Sequence, residues 1–332
     1  MKISFVIPAY NEEKYLPLCL QAIFLQQKTA SCDVEVIVVN NASTDATHAI
    51  AASFPSVIVI DESRKGITFA RQAGLAAATG DLIANVDADS ILTPGWLEAV
   101  AKNFSRNEKL VALSGPFLYY DLPVFSNLQI HFYYLLGYIT YLINRFVLRV
   151  GSLLQGGNFV VRRSALQQIG GFNTAIAFYG EDTEIAKRLS QVGPVVFTFS
   201  LPMYSSARRI KHEGLLTMAV KYPMNFFWTT FFKRPFTTEY IDVRKQPISA
   251  FQTTVKNFYT VLHTVQITVL AVVLFLFGGA GYLYHEVTLF SHIPVAEAQQ
   301  LPTPRLVKVF GPMVLKMQQK IHDWDIDADD QP

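Results

Sequence analysis

Along the N-terminal part of the chain, short apolar runs rich in Val and Ile recur at 3–7, 34–39, 57–60 and 82–86, each closed by polar or turn-forming residues. Their length and β-branched content predict strands. Between them, 13–26, 47–53 and 67–78 place apolar residues at helical spacing with few breakers and predict helices. Strands alternating with helices at this interval predict an α/β fold with a mainly parallel sheet and right-handed crossovers. The strands are apolar almost without alternation, as expected of a sheet covered on both faces. No repeat of solenoid length is present, and the acidic last residues are the one biased segment.

Farther along, the apolar runs lengthen. Residues 265–284, VQITVLAVVLFLFGGAGYLY, carry no charge, and about 20 such residues suffice for a helix to cross the hydrocarbon layer. A transmembrane helix is expected there. Arg244, Lys245 and Lys256 precede it, whereas His285 and Glu286 follow with no Lys or Arg before Arg305. That bias predicts a single-pass membrane protein with its N-terminal domain on the cytoplasmic side. Residues 125–144 are also uncharged and long enough to span. A lone crossing there would separate polar residues that, as argued below, share one site, so this segment is expected to pack on the domain or lie in the membrane interface. A third stretch beginning at Leu215 is interrupted by Lys221 and Pro223, and its Phe and Trp beside Lys233 and Arg234 suit an interfacial helix.

Composition agrees with this division. Of 332 residues, 51% are hydrophobic and 16% charged, and the mean hydropathy is +0.25, more apolar than an ordinary soluble enzyme. A net charge of +2 leaves no global footprint for nucleic acid. Cys19 and Cys32 form no C-x-x-C pair and have no His at ligand spacing, so they read as reduced thiols. The N-terminal apolar stretch is too short for a signal peptide, so the first domain is expected to stay in the cytosol.

In an open parallel sheet, ligands bind beyond the carboxyl ends of the strands. Three polar clusters fall at such ends: PAYNEE after Ile7, NNASTD after Val39 and DADS after Val86. They are expected to face one crevice. Asp87 and Asp89, one residue apart at a strand exit, suit a hard divalent cation that keeps phosphate oxygens as its other ligands. The competing reading is a helix start with Asp caps, for which Thr93 and Pro94 supply a signal. The same three letters at 327–329 follow no strand and read as a solvated acidic tail.

The strings VIPAYNEEKYLPLCLQAI, VEVIVVNNASTDAT, KGITFARQAGLAAATGDLIANVDADSILTPGWL and GGNFVVRRSALQQIGGFNTAIAFYGEDTEIAKRLSQVG resemble, in order and spacing, the family 2 glycosyltransferases over about residues 3–213. The resemblance implies a Rossmann-like GT-A domain and inverting transfer of a sugar from a nucleotide-sugar donor to an acceptor hydroxyl. It also implies site residues. Pro8, Ala9, Tyr10 and Glu12 look like the nucleoside contact. Asn40 and Asn41 stand where the family commonly has an Asp pair, and the Asn41 amide still offers a donor and an acceptor to a base edge. Arg71 matches an arginine that reaches toward the nucleotide and the Asp-x-Asp loop. Asp87 would hold ribose or metal and Asp89 the metal, Mn2+ or Mg2+.

The Glu-Asp pair of YGEDTEIAKRL completes the set. In-line displacement of a nucleoside diphosphate needs a proton acceptor on the opposite face of the sugar. Asp182, at the start of a helix expected over 183–192, lies near the positive end of its dipole and is the expected general base, with Glu181 as a supporting or acceptor-site carboxylate. Gly156 and Gly157 let backbone approach closely. Arg208 and Arg209 are candidates for diphosphate contact and His212 for a metal ligand, although a basic cluster here also suits anionic lipid. No Gln-x-x-Arg-Trp signature of processive synthases occurs, and no Gly-x-Ser-x-Gly, phosphate-loop or His-Glu-x-x-His motif.

The organisation implied is a glycosyltransferase domain over 1–213, with a nucleotide-binding half to about 115 and an acceptor half from about 116, then an interfacial segment over 214–256, a transmembrane helix over 257–284 and a tail over 285–332. The expected acceptor is lipid-linked or at the membrane surface, with membrane lipid as a further partner. Two other readings stand beside it: a sugar-phosphate nucleotidyltransferase-like enzyme, and a non-catalytic nucleotide-sugar sensor or assembly subunit.

Overall fold

The computed structural model describes residues 1–142, 145–146, 152–176, 178–237 and 242–244. Among them, residues 1–206 with 219–237 fall in one unit, and 207–218 with 242–244 in a second. In the first unit, β1 (Lys2–Ala9), β2 (Asp33–Asn40), β3 (Val57–Asp61) and β4 (Leu82–Val86) are mutually parallel in the order β3-β2-β1-β4. These are the four strands expected from the apolar runs, each within two residues. The sheet continues through β8 (Asn158–Arg162), β6 (Ala112–Ser114) and β9 (Val195–Phe197), with β8 antiparallel to both β4 and β6. A smaller sheet orders β5 (Ser90–Leu92), β10 (Met203–Ser205) and β7 (Phe117–Tyr119).

Both faces of the large sheet are covered, which is why its central strands are apolar at nearly every position. Ile3, Phe5 and Ile7 pack with Leu16, Leu20 and Ile23 of α1 (Leu16–Gln27) on one face. Val6, Val39 and Ile83 pack with Ala70 of α3 (Ile67–Ala77) on the other. The short helices α2 (Thr47–Ala52) and α6 (Arg163–Gln168) follow β2 and β8. Gly74 sets how closely α3 lies on the sheet, since a Cβ there would come within 2.3 Å of Val6 Cγ1. One turn earlier on α3, Arg71 is carried over the carboxyl ends of the strands.

Two helix starts differ from the sequence expectation. The helix after Asp89 does not begin at Thr93 and Pro94. β5 intervenes, and α4 (Trp96–Arg106) starts after Gly95, whose φ of +77° turns the chain into it. Asp87 and Asp89 therefore do not cap that helix. Similarly, α7 runs Glu181–Leu189 rather than 183–192, because Gly180 at φ +84° takes the cap position and draws Glu181 and Asp182 into the first turn.

The uncharged segment at 125–144 contains α5 (Val124–Leu142), which buries Ile130 and Tyr141 and exposes Tyr133, Leu136 and Ile139. α9 (Leu215–Phe232) continues through Pro223. No helix among the described residues is long and apolar enough to cross a membrane. The span expected at 265–284 lies outside the described residues.

Candidate active site

The strand exits converge as parallel topology requires. After β4 the chain makes a turn closed by a 3.0 Å hydrogen bond from Ser90 N to Asp87 O, so Asp87 and Asp89 leave the sheet together. Opposite them, β8 is entered by a turn in which Asn158 N donates to Gln155 O at 3.0 Å. Its tip is Gly156 and Gly157. Gly157, at φ +81°, lies so close to Asp87 that a Cβ would fall 2.2 Å from the carboxyl carbon, and its carbonyl accepts a hydrogen bond from Asp87 N at 3.4 Å. Gly156 N donates to Asp182 Oδ2 at 3.3 Å. This two-glycine turn touches the donor-side aspartate with one residue and the expected base with the other.

Arg71 ties the carboxylates together. It is 1% exposed, its Nη1 lies 2.6 Å from Glu181 Oε1 and its Nη2 lies 3.5 Å from Asp87 Oδ1. Burial opposes its charge, but Glu181, Asp87 and Asp182 outweigh that and hold the guanidinium above its usual range. One cation facing three carboxylates leaves excess negative charge in a dry place. Burial, then the charge of Asp182, push Glu181 up to about 8 against the pull of Arg71. Asp182 is also raised, again by burial first, with Thr183 N donating to its Oδ1 at 2.7 Å and Arg71 resisting. Asp87, Arg71, Glu181 and Asp182 thus make one cluster, although 95 residues separate Asp87 from Asp182 in the chain.

Among the residues expected to contact a nucleoside, Pro8 and Ala9 end β1 and Ala9 is fully buried. Lys65 Nζ sits 3.9 Å from the centre of the Tyr10 ring. Glu12 is buried, its backbone N–H donates to Thr47 Oγ1 at 2.7 Å, and its carbonyl starts α1. Asn41 is turned inward: its Nδ2 donates to the carbonyls of Glu62 and Arg64 at 3.0 and 2.8 Å, and its Oδ1 accepts Gly66 N–H at 2.8 Å. All of its amide hydrogen-bonding atoms hold the loop before α3, while Asn40 at the strand end pairs with Asp61 at 2.7 Å. Arg208, Arg209 and His212 lie on α8 (Arg208–Glu213) in the second unit, where Arg209 pairs with Glu213 at 2.7 Å.

The Asp87 and Asp89 carboxylates are hard oxygen donors on one turn. Among the described residues no group of three His, Cys, Asp or Glu side chains completes a protein-only metal cage. Such a donor set fits Mg2+-like ions, which are commonly held by one or two carboxylates with phosphate oxygens and water completing the shell.

Three residues near Asp89 escape a reading of the sequence. In the small sheet Ser90, Ser205 and Tyr119 are in register, so Asp89, Ser206 and Tyr120 follow one another across the same edge. Ser206 Oγ donates to Asp121 Oδ2 at 3.1 Å. The Tyr120 hydroxyl is pushed up to about 12, by burial first and then by Asp89 and Asp121. Strands of three residues are too short for a period of two to appear, and no motif marks Tyr120, Asp121 or Ser206.

Comparison with known proteins bears on this arrangement. Residues 4–170 match the family described as glycosyl transferase family 2, and residues 149–213 match the N-terminal domain of galactosyltransferase. A prophage bactoprenol glucosyl transferase homolog of Escherichia coli K12 is 38% identical over 94 residues, 27% of this chain and 31% of that protein. Matches to the curated relatives span about a third or less of those proteins. Among solved structures, S. aureus TarS 1-349 superposes with a TM-score of 0.50 at 17% identity, covering 69% of this chain and 72% of that one. A mannosyltransferase from Pyrobaculum calidifontis in complex with GDP-Man and Mn2+ gives 0.51 at 15% identity, covering 97% and 82%. At these identities the superpositions show a shared fold.

Proposed function

The chain belongs to glycosyl transferase family 2, and from that premise we propose that it moves a single sugar, with inversion, from a nucleotide-sugar donor to a hydroxyl of a lipid-linked acceptor at the membrane surface. The observation that carries the reading is Arg71, which contacts both Asp87 on the donor side and Glu181 beside the expected base.

Asp182 takes the proton of the acceptor hydroxyl. The acceptor oxygen bonds to the anomeric carbon as the bond from that carbon to the diphosphate oxygen breaks, and the nucleoside diphosphate leaves with the electron pair. Burial raises Asp182, and its place in the first turn of α7, with the N–H groups of Thr183 and Gly156 on its oxygens, counters that toward the ionised form that a base requires. Glu181, accepting a hydrogen bond from Arg71 Nη1, fixes the guanidinium at the centre. Asp87 and Asp89 would hold a divalent cation, which would neutralise charge on the leaving diphosphate. Pro8 and Tyr10 form the wall against which the nucleoside lies, with the buried Ala9 and Glu12 behind them and Asn41 shaping it through the loop at 62–66.

Two things support a lipid acceptor. α9 packs on the start of α7, where a Cβ at Gly180 would meet Thr229 Oγ1 at 2.4 Å, and it exposes Tyr222, Phe227 and Phe232 with Lys233, Arg234 and Phe236 following. Exposed aromatics beside basic residues suit the membrane interface. The E. coli relative is named for bactoprenol glucosyl transfer. A membrane anchor at 265–284 and a cytoplasmic catalytic domain are part of the same proposal.

The test incubates the full-length chain with a panel of nucleotide sugars, Mn2+ and a polyprenyl phosphate lipid extract. Lipid products are then read by mass and by the anomeric configuration of the added sugar. One sugar per lipid, inverted relative to the donor, is expected. A retained configuration, or no product from any donor, contradicts the proposal.

A further inference from the structure

Asn85, the fourth residue of β4, is fully buried, and neither its amide oxygen nor its amide nitrogen has a hydrogen-bond partner. Arg71 Nε is buried in the same condition. Buried polar groups are almost always paired, so two such groups in one neighbourhood ask for an explanation.

Their neighbourhood is shared. Residues two apart on a strand face the same way, so Asn85 points with Ile83 and Asp87 toward the side of the sheet covered by α3. Across the sheet Asn85 is in register with Val6 and Phe159. The guanidinium carbon of Arg71 lies 5.4 Å from the centre of the Phe159 ring, and its Nη2 reaches Asp87. Arg71 therefore passes over the strand neighbour of Asn85 and ends at the residue two positions beyond it.

We propose that Asn85 is a positioning residue for Arg71: its amide oxygen accepts the Nε–H across one bridging water and so fixes the guanidinium plane that delivers Nη1 to Glu181 and Nη2 to Asp87. An amide suits this place for reasons of charge. Arg71 already faces Asp87, Glu181 and Asp182, and an aspartate at 85 would compete with them for the cation. A leucine would leave the Nε–H buried without an acceptor. A neutral acceptor orients the arginine without drawing off its charge.

The inference relies on the transferase reading only for its kinetic arm. The test follows the arginine Nε–H resonances of the full-length chain by heteronuclear NMR, with Arg71 assigned by the loss of its signal in Arg71→Lys. Steady-state kinetics on a nucleotide-sugar donor are measured beside it. Asn85→Leu, close in size, is expected to speed solvent exchange of the Arg71 Nε–H about tenfold or more and to lower kcat by about tenfold at nearly constant KM. Asn85→Ser, which keeps an acceptor, should recover most of both losses. If Asn85→Leu does not fold, Asn85→Val is read by the same criteria. An Arg71 Nε–H unaltered in shift and exchange when the amide is removed overturns the inference whatever the kinetics. If the wild-type chain transfers no sugar but the Nε–H responds as expected, the transferase proposal fails and the positioning role stands.

Discussion

Gly157 is the residue on which the donor side is most narrowly built. Its φ of +81° lies where L residues are strained, and a Cβ would fall 2.2 Å from the Asp87 carboxyl carbon. Gly157→Ala must therefore rotate the turn or displace Asp87, and a stability loss of ~1–3 kcal/mol by denaturant titration is expected together with loss of transfer. Gly95→Ala serves as the control: Gly95 is also at positive φ, but nothing lies within 4 Å of where its Cβ would stand, so strain alone acts there. Glu181 gives a second residue-scale test. Its folded-state pKa of about 8 lies above the unfolded value of ~4.3, so between these limits the folded chain keeps a proton that the unfolded chain has lost. The contribution is complete below pH ~4.3, and stability falls as pH rises toward about 8. Glu181→Gln, which mimics the protonated form, should flatten that slope, and thermal midpoints across this range in wild type and variant check it.

At the scale of elements, the chemistry rests on where short segments begin. The four apolar runs place β1 to β4 because parallel strands buried on both faces leave an unbroken apolar trace, and DADS at the end of 82–86 is visible as an exit from the sheet. The antiparallel course of β8 leaves no such trace, since its composition matches that of a parallel strand. Gly180 is legible only once its φ is known, and it moves the start of α7 by two residues. The inward turn of Asn41 and the burial of Arg71 are equally hidden, because periodicity does not reveal which way a polar side chain in a short helix or loop points. The link from α7 to α9 carries its own prediction. Replacing Phe227 and Phe232 by Ser leaves the packing of Thr229 and Thr230 on α7 in place while removing exposed aromatic surface. Transfer to a lipid acceptor should fall about tenfold, by roughly 1–2 kcal/mol, because each exposed Phe contributes part of its ~1.5–3 kcal/mol of burial in the interface. Hydrolysis of the nucleotide sugar by water, assayed in detergent, should be unchanged.

For the whole molecule, the proposed mechanism comes down to one centre assembled from distant stretches of a single unit: α3, the β4 exit, the two-glycine turn and the start of α7. Sequence resemblance supplied the residues, and the fold supplied the reason they meet: Asp87 leaves the carboxyl end of β4, the two-glycine turn enters β8 beside it, and Arg71 from α3 reaches both Asp87 and Glu181 at the start of α7. The most direct measurement is a paired one on Asp182→Asn: product formation from a nucleotide-sugar donor beside equilibrium binding of the nucleoside diphosphate. Binding within about threefold of wild type and product lowered about a thousandfold are expected, since the base is removed while the donor side is left whole. An Asp182→Asn chain that still transfers sugar at the wild-type rate would contradict the assignment of Asp182 as the base and, with it, the single centre.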